Sequence, residues 1–200
     1  MFRDRAGVDE AFRLLAERLQ FEEAPPVALL VGGGSALDVL GLVSRTTKDV
    51  DVIALVEGVE SGGPAILKKA DPLPEQLAEA SHRVARDLGL PEDWLNPGPT
   101  SLLDFGLPHG CLERSLLRAY GASLRVYFVN RIDQIHFKLF AAVDQGGGRH
   151  LTDLLALEPT SEDLLAAARW TVTHDPSPGF RESLTAMLID MGQADVAKRL

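Results

Sequence analysis

Val31-Gly32-Gly33-Gly34-Ser35, followed a short way on by Arg45-Thr46-Thr47-Lys48-Asp49-Val50-Asp51-Val52, decides how this chain reads. Val27–Val31 is a short apolar run that ends in glycines, which predicts a buried strand. Ser35–Leu42 predicts a helix opening directly after the glycines. Where a strand turns through glycine into a helix, backbone N–H groups point at a common centre and the helix dipole adds partial positive charge. Such a place suits phosphate. Glycine matters there because a side chain would hold the phosphate away from the backbone. Gly33, Gly34 and Ser35 are therefore the candidate phosphate cradle, with the Ser35 hydroxyl as a further donor.

The second half of the stretch supplies charge. Ser44–Lys48 reads as a polar loop and Asp49–Val56 as a second strand. Side chains alternate across a strand, so Asp49 and Asp51 are expected on one face, with Val50, Val52 and Ile53 on the buried side. Two neighbouring carboxylates repel and favour a cation between them. Carboxylates together with triphosphate oxygens form the usual ligand set of magnesium, and manganese takes similar ligands. A pair of such ions roughly 3.5–4 Å apart clamps the attacking and leaving oxygens of an in-line displacement. Arg45 and Lys48 flank the aspartates, either as phosphate contacts or as surface charges balancing the acidic pair.

Other glycine-rich sites fit less well. A P-loop needs Gly-Lys-Ser/Thr where this chain has Gly-Ser-Ala. A dinucleotide fingerprint needs a third glycine where Leu37 stands, and its acidic residue at the end of the second strand rather than the start.

Outward from this stretch, Val8–Glu22 reads as an amphipathic helix stopped by Pro25-Pro26, and Pro74–Leu88 as a helix ended by Gly89. Gly58–Gly63 is a turn-rich break. Pro91–Pro108 is irregular, with Trp94 as a packing anchor. Leu112–Ala119 is expected to be a short helix and Ser123–Val129 a third strand. Ile132–Val143 carries an apolar helical stripe with Lys138 at its edge. Past Gly146-Gly147-Gly148 the segments Leu151–Leu157, Glu162–Thr173 and Phe180–Leu200 read as helices. The expected organisation is an α/β core over 1–145 and a helical C-terminal extension over 146–200.

Gly-Gly-Ser, a helix and then Asp-hydrophobic-Asp-hydrophobic resembles the DNA-polymerase-β-like nucleotidyltransferase superfamily. The Arg-x-Thr-x-Asp-hydrophobic-Asp form of residues 45–51 is similar to its bacterial branch of AbiEii-type toxins and uncharacterised nucleotidyltransferase-like relatives. Glu92-Asp93-Trp94-Leu95-Asn96, Lys138 and Arg149-His150-Leu151-Thr152-Asp153 also resemble stretches of that branch, so the likeness spans roughly residues 27–157. The resemblance implies a mixed sheet flanked by helices. It implies transfer of a nucleoside monophosphate from a nucleoside triphosphate to an acceptor: an RNA end, a protein or a small molecule. It makes Asp49 and Asp51 the holders of Mg2+ or Mn2+, Lys138 a neutraliser of developing charge, and Asp153 a late catalytic carboxylate, with Asp104 a weaker candidate. Toxin members imply an antitoxin-type protein partner. Many members carry a third metal carboxylate on a later core strand. Arg125–Val129 has none, and His150 replaces the first aspartate of the late motif. A nucleotide-binding sensor on the same fold therefore stays open beside the enzyme.

Composition agrees with a globular chain. Of 200 residues, 46% are hydrophobic and 24% charged, enough for a core without staples. The net charge of −9 disfavours broad affinity for nucleic-acid backbones, whereas a metal-screened nucleotide remains acceptable. Cys111 is the one cysteine, so no internal disulfide forms and a reducing compartment is expected. The five histidines show no metal-ligand spacing. Met1–Glu10 lacks the apolar stretch of a targeting signal, and no apolar run approaches the roughly 20 residues of a membrane span. The expectation is a cytoplasmic protein with no membrane partner.

Overall fold

The computed structural model describes residue 2 and residues 5–43, 46–58 and 64–200. The chain divides into two compact units, Met1–Asn130 and Arg131–Leu200. The first is α/β: a mixed sheet flanked by helices.

Its elements in chain order are α1 (Arg5–Phe21), β1 (Val27–Gly32), α2 (Gly33–Val39), β2 (Val50–Glu57), β3 (Ile66–Lys68), α3 (Glu75–Leu88), β4 (Leu95–Asn96), α4 (Cys111–Arg114), β5 (Leu116–Tyr120) and β6 (Leu124–Phe128), with a 3-10 segment at Gly98–Asp104. The strand order is β3-β2-β1-β6-β5, and β4 pairs with β2 as well. β1 runs antiparallel to β2 and parallel to β6. Strand alternation sends Leu29, Val31, Val50, Val52, Val126 and Phe128 into a core shared with Phe12, Leu15 and Leu19 of α1 and Leu77 and Val84 of α3. The register slips between Leu30 and Val31: Leu30 faces Ala54, but Val31 faces Val52. Ile53 is the extra residue of a β-bulge.

Two parts of the sequence reading are corrected here. Leu112–Ala119 is not a helix. The helix stops at Arg114, and Leu116–Tyr120 becomes an edge strand paired antiparallel with β6. Gly121, at φ +67, makes the turn between them, a conformation that side-chain-bearing residues rarely adopt. Tyr120-Gly121-Ala122-Ser123 between two apolar runs was a hairpin signal that helical spacing of the leucines masked. Secondly, Pro91–Pro108 is not uniformly irregular, since β4 and the 3-10 segment both lie in it.

α1 is fixed to the sheet edge by charge as well as by burial. Asp9 accepts from both Arg118 Nη1 (2.9 Å) and Tyr120 Oη (2.5 Å). Burial, and then Asp9, pushes the Tyr120 hydroxyl well above its ordinary range. A groove of about 550 Å3 opens beside this clamp and contains none of the expected site residues.

The second unit is helical: α5 (Arg131–Gln145), α6 (Gly148–Ala156), α7 (Ser161–His174), α8 (Pro178–Asp190) and α9 (Ala194–Ala197). α5 belongs to it, so the division falls before that helix and not at the triple glycine. Arg131 joins the two ends of the α5–α6 hairpin by donating to Leu157 O (2.8 Å) and Glu158 O (2.6 Å). Trp170 packs against His136, Phe137, Phe140 and His174. A Thr160–Asp163 capping box starts α7. Among the described residues, no helix is long and apolar enough to cross a membrane.

Trp94 is the anchor of the first unit's sheet. It is fully buried, stands edge-on to Phe2 and Phe12, and donates Nε1–H to Ser81 O at 2.9 Å. Trp94→Ala is expected to lower unfolding free energy by about 3–5 kcal/mol in a denaturant titration. A loss below about 1 kcal/mol would show that the site collapses around the missing ring.

Candidate functional site

Three residues lie side by side where the glycine turn meets the acidic strand. Gly32 of β1 is the register partner of Asp51 on β2, and Asp51 is the partner of Asn96 on β4. Cross-strand partners share a face, so Asp51 and Asn96 project on the side opposite the buried Val50 and Val52. Asn96 Nδ2 donates to Asp51 Oδ1 at 3.1 Å. Asn96 Oδ1 accepts from Gly98 N at 3.0 Å.

The glycine turn is occupied by the strand's own carboxylate. Gly33 opens α2 at φ +68, and a Cβ placed there would overlap the Asp51 carboxylate, lying 2.8 Å from Asp51 Cγ. Only glycine lets the carboxylate approach so closely. Gly33 keeps some exposure, while Gly34 and Ser35 are buried. α2 begins two positions earlier than the sequence suggested, so Ser35 falls inside the first turn. Its hydroxyl is wholly buried and turns toward Gly32 O at 3.4 Å, a long contact. The expected phosphate donor therefore faces the chain itself.

Asp49 precedes β2, which starts at Val50. It is half-buried, and Thr47 Oγ1 donates to its backbone O at 3.1 Å and lies 3.4 Å from its Oδ1. Thr47 is itself buried and bridges to Phe2, which packs on Trp94. Val50 N donates to Trp94 O at 2.6 Å. The two aspartates are thus set by one packed assembly: Phe2, Thr47 and Trp94 fix the strand's start, and β4 delivers Asn96. Lys48 is exposed. Arg45 lies outside the described residues. Among the described residues no three His, Cys, Asp or Glu side chains gather as a metal-binding group.

Lys138 and Asp153 lie in the second unit, and the structure joins them to each other. Lys138 Nζ donates to Asp153 Oδ2 at 2.8 Å, with the side chains only 7% and 4% exposed. Far from being a surface lysine at a stripe edge, Lys138 is half of a buried ion pair. Asp104, the weaker late carboxylate, pairs with Lys69 Nζ at 2.5 Å. His150 Nε2 meets Gln145 Oε1 at 3.0 Å. Asn96 is the site residue that sequence reasoning passed over. Its signal was present in Trp94-Leu95-Asn96: an apolar pair that becomes buried, then an amide at a strand end.

Comparisons of the chain with protein families, curated proteins and solved structures give no match.

Gly33→Ala imposes an unfavourable φ and displaces the Asp51 carboxylate. The expected result is a loss of roughly 1–3 kcal/mol of stability, in proportion to the strain. Thermal melting checks it, and an unchanged midpoint would mean that Asp51 swings aside at no cost.

Proposed function

We propose that the chain is a metal-dependent nucleotidyltransferase that moves a nucleoside monophosphate from a nucleoside triphosphate to an acceptor. The observation that carries this reading is the Asp51 carboxylate lying against Gly33. A phosphate drawn to the glycine turn meets an anion already there, and two anions share a site only with a cation between them. The donor set suits Mg2+ or Mn2+. Magnesium is commonly held by one or two carboxylates, with substrate phosphates and water completing the shell. Asp49 and Asp51 would hold the metal, which when bound supplies Lewis-acid polarisation of phosphoryl oxygens. Gly33 leaves room for the Asp51 carboxylate at the turn, and Lys48 is exposed for an outer contact. Asn96 and Thr47 hold the aspartates without cancelling their charge, because both donors are neutral.

A second reading is favoured by specific observations. A neutral amide, not a third carboxylate, stands beside Asp51, and the Lys138 ammonium is taken up by Asp153. A sensor that binds a metal–nucleotide complex needs neither a third carboxylate nor a released lysine.

Calorimetry with a nucleoside triphosphate and magnesium tests the shared part of both readings. Asp49→Asn and Asp51→Asn are each expected to weaken binding by at least about ten-fold, with the fold intact by circular dichroism. Unchanged affinity in both variants would remove the metal site. Transfer is tested with each labelled triphosphate, magnesium or manganese, and total RNA or cell lysate. Label on any acceptor selects the enzyme, and binding without transfer selects the sensor.

The role that the resemblance gives Lys138 needs a double variant. Lys138→Met alone strands a buried carboxylate and should cost roughly 3–5 kcal/mol, whereas Lys138→Met with Asp153→Leu removes both charges and should come out nearly neutral. If the double variant is stable and binds the triphosphate but transfers no label, the Lys138–Asp153 pair acts in catalysis. If it transfers like wild type, the pair serves the fold alone.

A further inference from the structure

We infer that Asn96 is the positioning residue of the candidate metal site: its amide aims the Asp51 carboxylate so that a divalent cation finds it in place. This rests on the metal reading above and adds to it a residue on a different strand.

The inference follows from how completely the amide is oriented. Asn96 Oδ1 accepts from Gly98 N, at 3.0 Å, and only the oxygen of an amide can accept. That contact decides which way the amide faces, so Nδ2 is turned toward Asp51 Oδ1, at 3.1 Å. The backbone beneath it is fixed as well. β4 is only two residues long, but it pairs with Val50 and Asp51, and Trp94 immediately before it accepts from Val50 N. Trp94 and Leu95 are buried in the core. An anchored backbone, a fixed amide orientation and a shared register hold one carboxylate oxygen.

The donor's chemistry fits this task. An arginine or lysine would orient the carboxylate equally well but neutralise it, and a cation would gain little from joining. An amide donates a hydrogen bond and adds no charge of its own. A buried packing asparagine would satisfy itself on backbone groups. This one spends its acceptor on the backbone and its donor on the acidic motif.

Two variants test the inference, read by Mn2+ binding (electron paramagnetic resonance of free Mn2+) and by melting with and without Mn2+, with no reliance on turnover. Asn96→Ala is expected to bind Mn2+ about ten-fold more weakly than wild type, the usual cost of losing a group that orients a metal ligand. Asn96→Asp keeps the acceptor for Gly98 but sets a carboxylate against Asp51. Its metal-free melting point should fall, and Mn2+ should raise that melting point by more than it raises wild type. Should Asn96→Ala fail to fold, Asn96→Asp still decides, because an aspartate that merely caps the Gly98 turn would respond to Mn2+ as wild type does. Wild-type Mn2+ affinity in Asn96→Ala, beside lost affinity in Asp51→Asn, would overturn the positioning role and leave the metal reading standing. No Mn2+ binding by wild type would overturn both.

Discussion

A carboxylate pressed against the α-carbon of a glycine constrains everything around it. The approach of Asp51 to Gly33 excludes any side chain at residue 33, sets the place where β1 must turn into α2, and requires β2 to present Asp51 at the level of Gly32. It also needs the strand on the far side, since β4 supplies the amide that holds the other oxygen. The sheet around the acidic motif is therefore not a neutral platform. The β1–β2–β4 register and the turn geometry are one arrangement, locked from below by Trp94 and from the N-terminal side by the Phe2–Thr47 bridge.

The two units meet their polar residues in different ways. In the first, Asp49 and Asp51 are half-buried, and the Thr47 hydroxyl and the Asn96 amide that contact them carry no charge of their own. In the second, Lys138 and Asp153 are buried together and cancel. Such a pair gains Coulombic energy but loses the hydration of both ions, so it contributes little net stability while making the loss of either partner costly. The same residue types thus do different things in the two units, and burial with the choice of partner decides which.

Much of the first unit was legible from the sequence. Val27–Val31 announced itself as an apolar run ending in glycines and Ser123–Val129 by apolar alternation, and Asp49–Val56 was read as the strand that runs from Val50 to Glu57. The glycine turn and the acidic pair were visible because Gly, Asp and their order carry local physical meaning. Less visible was whatever depends on partners distant in the chain. Leu116–Tyr120 is a strand because β6 lies beside it; in isolation its leucines suit a helix equally well. Leu95–Asn96 is too short to show any period, and its register with Asp51 exists only in the folded sheet. The start of the helix at Gly33 rather than Ser35 was not legible either, and it is what turns the Ser35 hydroxyl back toward Gly32. Lys138 was placed correctly on its helix, but its partner fifteen residues on lay beyond any pattern of spacing.

The bulge at Ile53 has a consequence for what the chain tolerates. Upstream of it, Val50 and Val52 face the core and Asp51 faces away. Downstream, Leu55 joins the core side only because one extra residue shifts the alternation. β2 is two half-strands out of phase, and the interval from Asp51 to Leu55 is counted to the residue. Losing or gaining one residue there would rotate Leu55 out of the core or turn the carboxylate into it. Exposed loops elsewhere can lengthen or shorten over generations, but this interval admits exchange of one side chain for another and no change of length.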